Sequence, residues 1–297
     1  MISTFKKKIL IFGGSGFLAS YIFEKLCKNN DIHVAYLKNR IKNDNFRYFK
    51  IKKINYLCIK SIIEKSKPDI VINTIAYTIV DKIKNNLEIS SDLNVKLPKI
   101  ISNLTYKSKI KLVHISTDQL FDGKKKVYFE NSKKSPLNEY GKQKSKAEEY
   151  IKTNYNHLII RTNFFGISRK NNKSFDLIYS SLINKKRIYY YSDIYFNPIY
   201  VADLVNIIEK LLNINARGTY NVSTDKKISK FDFAQMIINQ FQFDPDLLIK
   251  LEYGNDKIFS ESRPKNMFLS NQKLKNKLGL KNISCLVGIK KLKKKLI

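Results

Sequence analysis

The stretch "ILIFGGSGFLAS", Ile9–Ser20, joins a short apolar run to a glycine-rich turn and then to a helix-like segment. Within it, Gly13, Gly16 and Ala19 have the spacing G-x-x-G-x-x-A. Small residues at these positions let the backbone turn tightly and let the helix pack closely on the strand. The free N–H groups at the start of such a helix attract anions. The stretch therefore predicts a phosphate-binding turn, with a purely structural bend as the alternative at this point.

Strand-like and helix-like segments alternate through the first half of the chain, which predicts an α/β fold with a doubly wound parallel sheet and right-handed crossovers. The second half is less regular, although Ser229 is a candidate N-cap for one further helix. We therefore expect a smaller C-terminal lobe. The predicted strands are Ile9–Phe12, Ile32–Leu37, Asp69–Ile75, Lys111–Thr117 and 158–164, and the predicted helices of the first half are Phe17–Cys27, Ile59–Lys65, Leu93–Leu104 and Tyr140–Lys152.

The composition excludes several classes of protein. The chain has 297 residues and a formal charge of +31, but only seven of its 56 basic residues are Arg and the lysines are spread throughout. Because Arg is the preferred residue for bidentate phosphate contacts, we expect no nucleic-acid role. We interpret Lys290–Lys295 as a solvated terminus. The longest apolar runs are too short for a membrane span, and three cysteines without paired spacing favour a cytoplasmic protein with no metal site.

The strand after the glycine turn is followed by "KNR", which contains Lys38 and Arg40. An acidic residue in this region would hold the ribose 2′-hydroxyl of NAD, whereas cationic residues suit the 2′-phosphate of NADP. If the turn binds a dinucleotide, this charge favours NADPH over NADH, although the abundance of Lys leaves both cofactors open.

A second motif lies in "YGKQK", where Tyr140 and Lys144 are four residues apart and so share one face of the predicted helix. An ammonium group beside a phenol lowers the pKa of the phenol, which allows proton transfer to a carbonyl oxygen. Thr117, in "HISTDQLFDG", ends a predicted parallel strand at the edge where ligands bind in such sheets. The alternative is that Ser116, Thr117 and Asp118 only cap a turn. The glycine turn, the strand-end Thr and the Tyr-x-x-x-Lys helix together indicate a short-chain dehydrogenase/reductase arrangement.

Longer segments of the chain point to one family within this class. The chain resembles the dTDP-4-dehydrorhamnose reductase family, and the resemblance runs nearly from end to end. It implies a Rossmann-like fold in which residues 1–166 bind NAD(P) and residues 167–297 form mainly the substrate-binding lobe, with segments returning to the Rossmann core. The matching segments include "GGSGFLA", "KPDIVINTIAYTIVDK", "HISTDQLFDG", "SPLNEYGKQKSKAEEY" and "RPKNMFLSNQKLKNKLG".

The resemblance also implies roles for individual residues. Tyr140 would be the proton donor, and Lys144 would lower its pKa and bind the cofactor ribose. Thr117 would tune the tyrosine and, with Asp118, contact the substrate. The cofactor pyrophosphate would be lined by Gly13, Gly16, Phe17 and Leu18. The rest of the cofactor would lie along Ala76, Tyr77 and Thr78.

The activity implied is NAD(P)H-dependent reduction of the 4-keto group of a nucleotide-linked 4-keto-6-deoxy sugar, in the pathway to dTDP-rhamnose for surface polysaccharide. The chain departs from the family where Gln119 and Leu120 replace the usual Tyr-Val and where Phe164 replaces a Trp near the sugar. Ile83, Lys84 and Asn85 also replace the usual acidic residues after "VDK". Together these departures leave the identity of the sugar and a homodimer open. The alternatives are another nucleotide-sugar reductase, an epimerase or dehydratase of the superfamily, or a non-catalytic regulatory subunit.

Overall fold

A computed structural model describes residues 6–40, 45–168, 174–254 and 261–296. The chain forms two compact units. The first consists of residues 1–116, 139–160 and 209–219, and the second of residues 117–138, 161–208 and 220–297. Both units are built from segments that are distant in sequence. The assignment of residues 1–166 to the cofactor and of residues 167–297 to the substrate remains a prediction.

The described residues contain ten α-helices and thirteen β-strands. The strands are β1 (Lys7–Phe12), β2 (Asn30–Tyr36), β3 (Arg47–Lys50), β4 (Ile70–Asn73), β5 (Lys111–Thr117), β6 (His157–Thr162), β7 (Phe164–Phe165), β8 (Ile188–Tyr191), β9 (Tyr195–Phe196), β10 (Ile199–Tyr200), β11 (Gly218–Asn221), β12 (Ile228–Ser229) and β13 (Leu248–Leu251). The helices are α1 (Phe17–Leu26), α2 (Tyr56–Ser66), α3 (Leu87–Ser91), α4 (Leu97–Lys107), α5 (Glu139–Lys152), α6 (Ser174–Ile183), α7 (Val201–Asn213), α8 (Lys230–Phe241), α9 (Gln272–Leu278) and α10 (Cys285–Leu296).

The central sheet has seven strands in the order β11-β6-β5-β4-β1-β2-β3. The ladders β1–β2, β1–β4, β2–β3 and β4–β5 are parallel, and Ile9 of β1 pairs with Ile32 on one side and Ile70 on the other. The connections therefore reverse direction at β1, and ligands of doubly wound sheets bind at the carboxyl edge beside such a reversal. The predicted Rossmann-like sheet is confirmed, and its ligand-binding edge begins at Gly13.

The core of the first unit lies between this sheet and its helices. Strand residues Leu10 and Val71 are fully buried there with Ile59 of α2, and Leu97 and Ile101 of α4. These strands are apolar on both faces, as expected for a parallel sheet covered by helices. The rigid sheet holds the loops at its carboxyl edge in position.

The second unit contains three short two-stranded sheets, β7–β10, β9–β12 and β8–β13. The predicted N-cap of α8 is confirmed, because Ser229 and Asp232 form a reciprocal capping box. Gly288 of α10 lies so close to β10 that an added Cβ would come 2.7 Å from Cβ of Tyr200. The C-terminal lysines are the last turns of this helix, and Leu292 among them is buried.

Two local expectations differ from the structure. The predicted helix over Leu93–Leu104 begins earlier, at Leu87, and contains one π-helical turn at Asp92–Lys96 between α3 and α4. The edge strand β3 was not predicted, because its four residues are partly exposed and carry two cations. Within the described ranges, no helix combines the length and apolar character needed to cross a membrane.

Candidate functional site

The glycine turn between β1 and α1 is sterically closed to side chains on its inner side. Gly13 has φ of +101°, and a Cβ there would lie 2.6 Å from Oγ1 of Thr74. At Gly14 a Cβ would collide with the Val34 side chain, and at Gly16 it would lie 3.0 Å from the Gly13 carbonyl. Sequence analysis missed Gly14, whose small size is required by the packing of β2. Because no side chain fits on the inner side, a ligand can approach the backbone of this turn closely, as a cofactor-binding turn requires.

The start of α1 is open to an anion. Gly16 is the N-cap, no side chain caps the helix, and its first turn has no acidic residue. Phe17 is half-buried, whereas Leu18 is buried among core residues. The first N–H groups and the positive end of the helix dipole are therefore available to a phosphate. Beyond β2, Lys38 and Arg40 are both exposed, and the Arg40 guanidinium lies 4.3 Å from the centre of the Tyr48 ring.

The segment after β4 is held by one amide side chain. Asn94 accepts a hydrogen bond from the Tyr77 N–H at 2.8 Å and donates one to the Tyr77 carbonyl at 3.1 Å. Asn94 also donates to Gln143 of α5 at 2.9 Å, and Gln143 donates to Ser90. Because Asn94 lies in the π-helical turn, that turn links the backbone at Ala76–Thr78 to the helix that carries Tyr140 and Lys144. π-Helical turns are frequent at functional sites.

Tyr140 and Lys144 lie on the buried face of α5. Tyr140 is 8% exposed and packs with Val80, Ile83 and the half-buried Tyr77. Lys144 is 1% exposed; its ammonium nitrogen Nζ lies 2.7 Å from the Ile115 carbonyl. Burial lowers the pKa of Lys144 to about 8. Because Tyr77 packs against Tyr140, the segment predicted to line the cofactor lies beside the predicted proton donor.

A histidine that sequence analysis did not single out completes this part of the site. His114 of β5 is fully buried, and its Nε2 lies 3.0 Å from Nζ of Lys144. Burial, reinforced by the nearby Lys144, holds the pKa of His114 well below its usual value. The carboxylate of Glu148 acts in the opposite direction and raises the pKa of Lys144. The only sequence signal was a polar ring inside the apolar strand "KLVHIST".

Thr117 and Asp118 belong to the second compact unit. The hydroxyl of Thr117 donates to Oδ1 of Asp118 at 3.2 Å and accepts the Gln119 N–H at the same distance. The other carboxylate oxygen of Asp118 accepts a hydrogen bond from Asn163 at 2.8 Å. Burial raises the pKa of Asp118, while Asn163 and Lys230 act against this shift. These hydrogen bonds hold the hydroxyl of Thr117 beside Asp118, and the role of Thr117 stays a prediction.

A cavity of about 360 Å³ in the second unit is lined by both polar and aromatic side chains. The pKa of Lys230 is lowered to about 8, chiefly by burial; Asp118 acts against this shift and Arg263 contributes to it. Nζ of Lys230 lies 3.3 Å from the centre of the Phe196 ring. Phe164 is half-buried on β7 and is not among the lining residues. The lining consists of Gln119, Asn163, Tyr189, Tyr190, Tyr191, Ile194, Phe196, Lys230, Phe233, Arg263 and Met267.

Among the residues that the structure describes, no cluster of three or more His, Cys, Asp or Glu side chains is arranged to hold a metal ion.

The parallel sheet, the glycine turn at its reversal point and the buried Tyr-x-x-x-Lys helix define a Rossmann-like α/β protein of the short-chain dehydrogenase/reductase class. The chain belongs to the family described as the RmlD substrate binding domain, whose model matches residues 7–296. The resemblance inferred from the sequence motifs is thereby confirmed.

Similar proteins include reductases and dehydratases of nucleotide sugars. The chain is 29% identical over 79% of its length to the dTDP-D-glucose 4,6-dehydratase of Dictyostelium discoideum, and the match spans 62% of that protein. It is 26% identical to the dTDP-4-dehydrorhamnose reductase of Aggregatibacter actinomycetemcomitans, over 78% of this chain and 79% of the relative. The fold matches a dTDP-4-dehydrorhamnose reductase from Bacillus anthracis in complex with NADP, with a TM-score of 0.87, 24% identity, and 98% and 100% of the two chains covered.

Proposed function

We propose that the protein is an NAD(P)H-dependent reductase that converts the 4-keto group of a nucleotide-linked 4-keto-6-deoxy sugar to an alcohol. The substrate we propose is dTDP-4-dehydrorhamnose, and the product is dTDP-rhamnose for surface polysaccharide. The observation that carries the proposal is the Tyr140–Lys144 pair on the buried face of α5. The similar reductases from Aggregatibacter and Bacillus anthracis support it.

The first unit fits a nicotinamide dinucleotide. The turn at Gly13, Gly14 and Gly16 has no room for side chains. The uncapped start of α1 offers its free N–H groups to an anion. Lys38 and Arg40 are exposed after β2 and suit a 2′-phosphate, so we propose NADPH as the preferred cofactor. The similar Bacillus anthracis structure contains NADP.

When bound, the cofactor supplies a hydride to C4 of the sugar. Tyr140 donates its phenolic proton to the O4 oxygen, so that the carbonyl becomes an alcohol, and solvent returns a proton to the phenolate. Lys144 binds the cofactor ribose and, as an ammonium, stabilises the phenolate. Thr117 and Asp118 hydrogen-bond the substrate. Ala76, Tyr77 and Thr78 lie along the cofactor in this proposal.

The cavity of the second unit is proposed to bind the substrate. Lys230 and Arg263 provide positive charge for a diphosphate, whereas the amides of Gln119 and Asn163 can hydrogen-bond sugar or base oxygens. The aromatic walls provide surfaces against which a planar base can stack. Because Phe164 lies outside this lining, its proposed contact with the sugar has weaker support than the contacts of Lys230 and Arg263.

The proposal is tested with purified protein, NADPH and dTDP-4-dehydrorhamnose. We expect NADPH oxidation and dTDP-rhamnose formation. In the Tyr140→Phe variant the turnover falls about 10³-fold, because general acid catalysis contributes on that order. NADPH affinity, measured separately by fluorescence titration, changes little.

Tyr150→Phe is the matched control, since Tyr150 lies on the same helix and its ring contacts Lys99. It should retain normal turnover. The reductase proposal fails if no 4-keto sugar linked to dTDP, CDP, UDP or GDP consumes NADPH. Cofactor that stays bound through purification, with no net oxidation, would instead support an epimerase, a dehydratase or a regulatory subunit.

A homodimer and a cytoplasmic location complete the proposal. Ile79, Leu87 and Ile89 are each more than half exposed on neighbouring segments of the first unit, which supports an apolar face covered by a second copy. The three cysteines are free thiols, which supports a reducing compartment. Light scattering of the purified full chain tests the dimer, and a monomer at micromolar concentration would contradict it.

A further inference from the structure

Asn73, His114 and Lys144 form a row of buried polar side chains that starts on β4, crosses β5 and ends on α5. The N–H of Ile75 donates to Oδ1 of Asn73 at 3.1 Å, which fixes the orientation of the amide. The Nδ2 group of Asn73 therefore faces Nδ1 of His114, 3.2 Å away. An amide NH₂ is only a donor, so Nδ1 of His114 must be the acceptor.

This arrangement fixes the tautomer of His114. A neutral imidazole carries one proton, and with Nδ1 acting as acceptor that proton is on Nε2. Burial favours the neutral ring, because it holds the pKa of His114 well below its usual value. The Nε2–H bond is then directed at Nζ of Lys144, 3.0 Å away.

An ammonium group has three donors and no acceptor, so it cannot accept a hydrogen bond from the Nε2–H of His114. A neutral amine can, through its lone pair, and it can still donate to the Ile115 carbonyl at 2.7 Å. The other groups around Lys144 are Glu148, whose carboxylate accepts from Ser116, and Tyr140, one turn earlier on α5. Glu148 favours the charged amine and opposes His114.

We propose that His114 is a positioning residue that stabilises the neutral amine of Lys144 before the cofactor binds, so that at alkaline pH, where this amine is populated, binding of NADPH is accompanied by uptake of up to one proton. The inference rests on the proposed function, because it assigns Lys144 to the cofactor ribose. A ribose hydroxyl offers an acceptor in place of the His114 donor, and the cofactor phosphates add negative charge. Both changes favour the ammonium, and the proton comes from solvent.

The tautomer is tested without turnover. The chain has only three histidines, so ¹⁵N labelling of the imidazoles gives a simple spectrum. In the full-length protein without cofactor at pH 9, where the amine of Lys144 is neutral, we expect the His114 resonances of a ring protonated at Nε2 and unprotonated at Nδ1. A ring protonated at Nδ1 would overturn the inference, whether or not the protein is a reductase.

The proton uptake is measured by calorimetry of NADPH binding in buffers of different ionisation enthalpy. Near pH 8.5 we expect uptake of well over half a proton per chain, falling to about one tenth near pH 7. In His114→Phe, the amine loses its donor, and the onset of uptake moves to higher pH by about one pH unit. His33→Phe is the matched control, because His33 is also buried but bonds to Ser66, and it should leave the uptake unchanged.

Uptake near zero at pH 8.5 in the wild-type protein overturns the inference, and so does an equal onset in the His114 and His33 variants. If NADPH does not bind at all, the proposed function fails and the tautomer measurement still decides the state of His114. If His114→Phe does not fold, the wild-type measurements at the two pH values remain decisive.

Discussion

The two compact units each contain a buried lysine whose pKa is lowered to about 8, and burial is the largest cause in both. Their surroundings differ. Lys144 lies in the interior of α5 and is fixed by the Ile115 carbonyl and His114. Lys230 is the first residue of α8 and lines a cavity. Lys144 is held by protein atoms on each side, whereas Lys230 lies where a ligand can reach it.

The helices add to this difference. The positive end of a helix dipole disfavours a cation at the first residue, so Lys230 is charged in a position that α8 itself does not favour. Asp118 compensates by raising the pKa of Lys230, as Glu148 does for Lys144. The two lysines have similar pKa values, but their surroundings fit different roles. We assign catalysis to Lys144 and recognition of an anionic ligand to Lys230.

Of the two lysines, Lys144 should give the larger effect when its amine is removed. Lys144→Met leaves Tyr140 without the ammonium that stabilises its phenolate, so turnover should fall about 10²- to 10³-fold at saturating substrate. Steady-state NADPH oxidation measures this. Lys146→Met, at an exposed position of the same helix, should be near wild type. If Lys144→Met retains wild-type turnover, Lys144 has no catalytic role and the comparison with Lys230 loses its basis.

A smaller effect, of a different kind, is expected from Lys230→Met. Loss of one charge-assisted contact to a diphosphate should raise KM for the nucleotide sugar about 10- to 100-fold, since such contacts contribute on the order of 1.5–3 kcal/mol. Turnover at saturation and the NADPH affinity should change little. Lys227→Met is the control, because Lys227 contacts the Tyr195 ring and does not line the cavity. An unchanged KM, or a loss of NADPH affinity, would contradict the assignment.

The smallest effect concerns stability. Burial lowers the pKa of Lys144 from 10.5 to about 8, so the unfolded chain binds more protons than the folded chain between these pH values. Wild-type stability should therefore rise with pH through this window, and the full cost of the buried charge is present below pH 8. Removing the amine should stabilise the protein at pH 7 by about 2 kcal/mol, after about 1 kcal/mol is subtracted for the hydrogen bond lost to Ile115.

Urea unfolding of Lys144→Met at pH 7 and near pH 10.5 measures this difference. The advantage over wild type should disappear at the higher pH. A variant that is equally stabilised at both pH values would show that packing, and not charge, limits the stability at this position.

The sequence predicted the features whose physical cause is local. The glycine turn, the Tyr140–Lys144 spacing and the cap at Ser229 each depend on residues within one turn or one helix, and the fold and the cap are confirmed. The roles of Tyr140 and Lys144 stay predictions. Gly14 could not be identified as essential from its neighbours alone, because the atom that excludes a side chain there belongs to Val34 on the next strand.

Contacts between residues that are far apart in the sequence could not be predicted from it. Asn73 and His114 lie on different strands, and no spacing rule relates them to Lys144. Likewise, the interaction of Lys230 with Asp118 depends on how α8 packs in the second unit. The helix that begins at Leu87 was placed too late because its first apolar residues, Leu87 and Ile89, are exposed and do not continue the buried apolar periodicity of the later turns.

The π-helical turn at Asp92–Lys96 has a consequence for engineering. Such turns are rare in proteins, and they occur frequently at functional sites. Here the turn orients Asn94 toward both Tyr77 and Gln143. Deleting one residue would restore regular helix geometry and rotate Asn94 away from these partners. A redesign that regularises this helix would therefore have to keep the Asn94 hydrogen bonds, and its activity has to be measured together with its thermal stability.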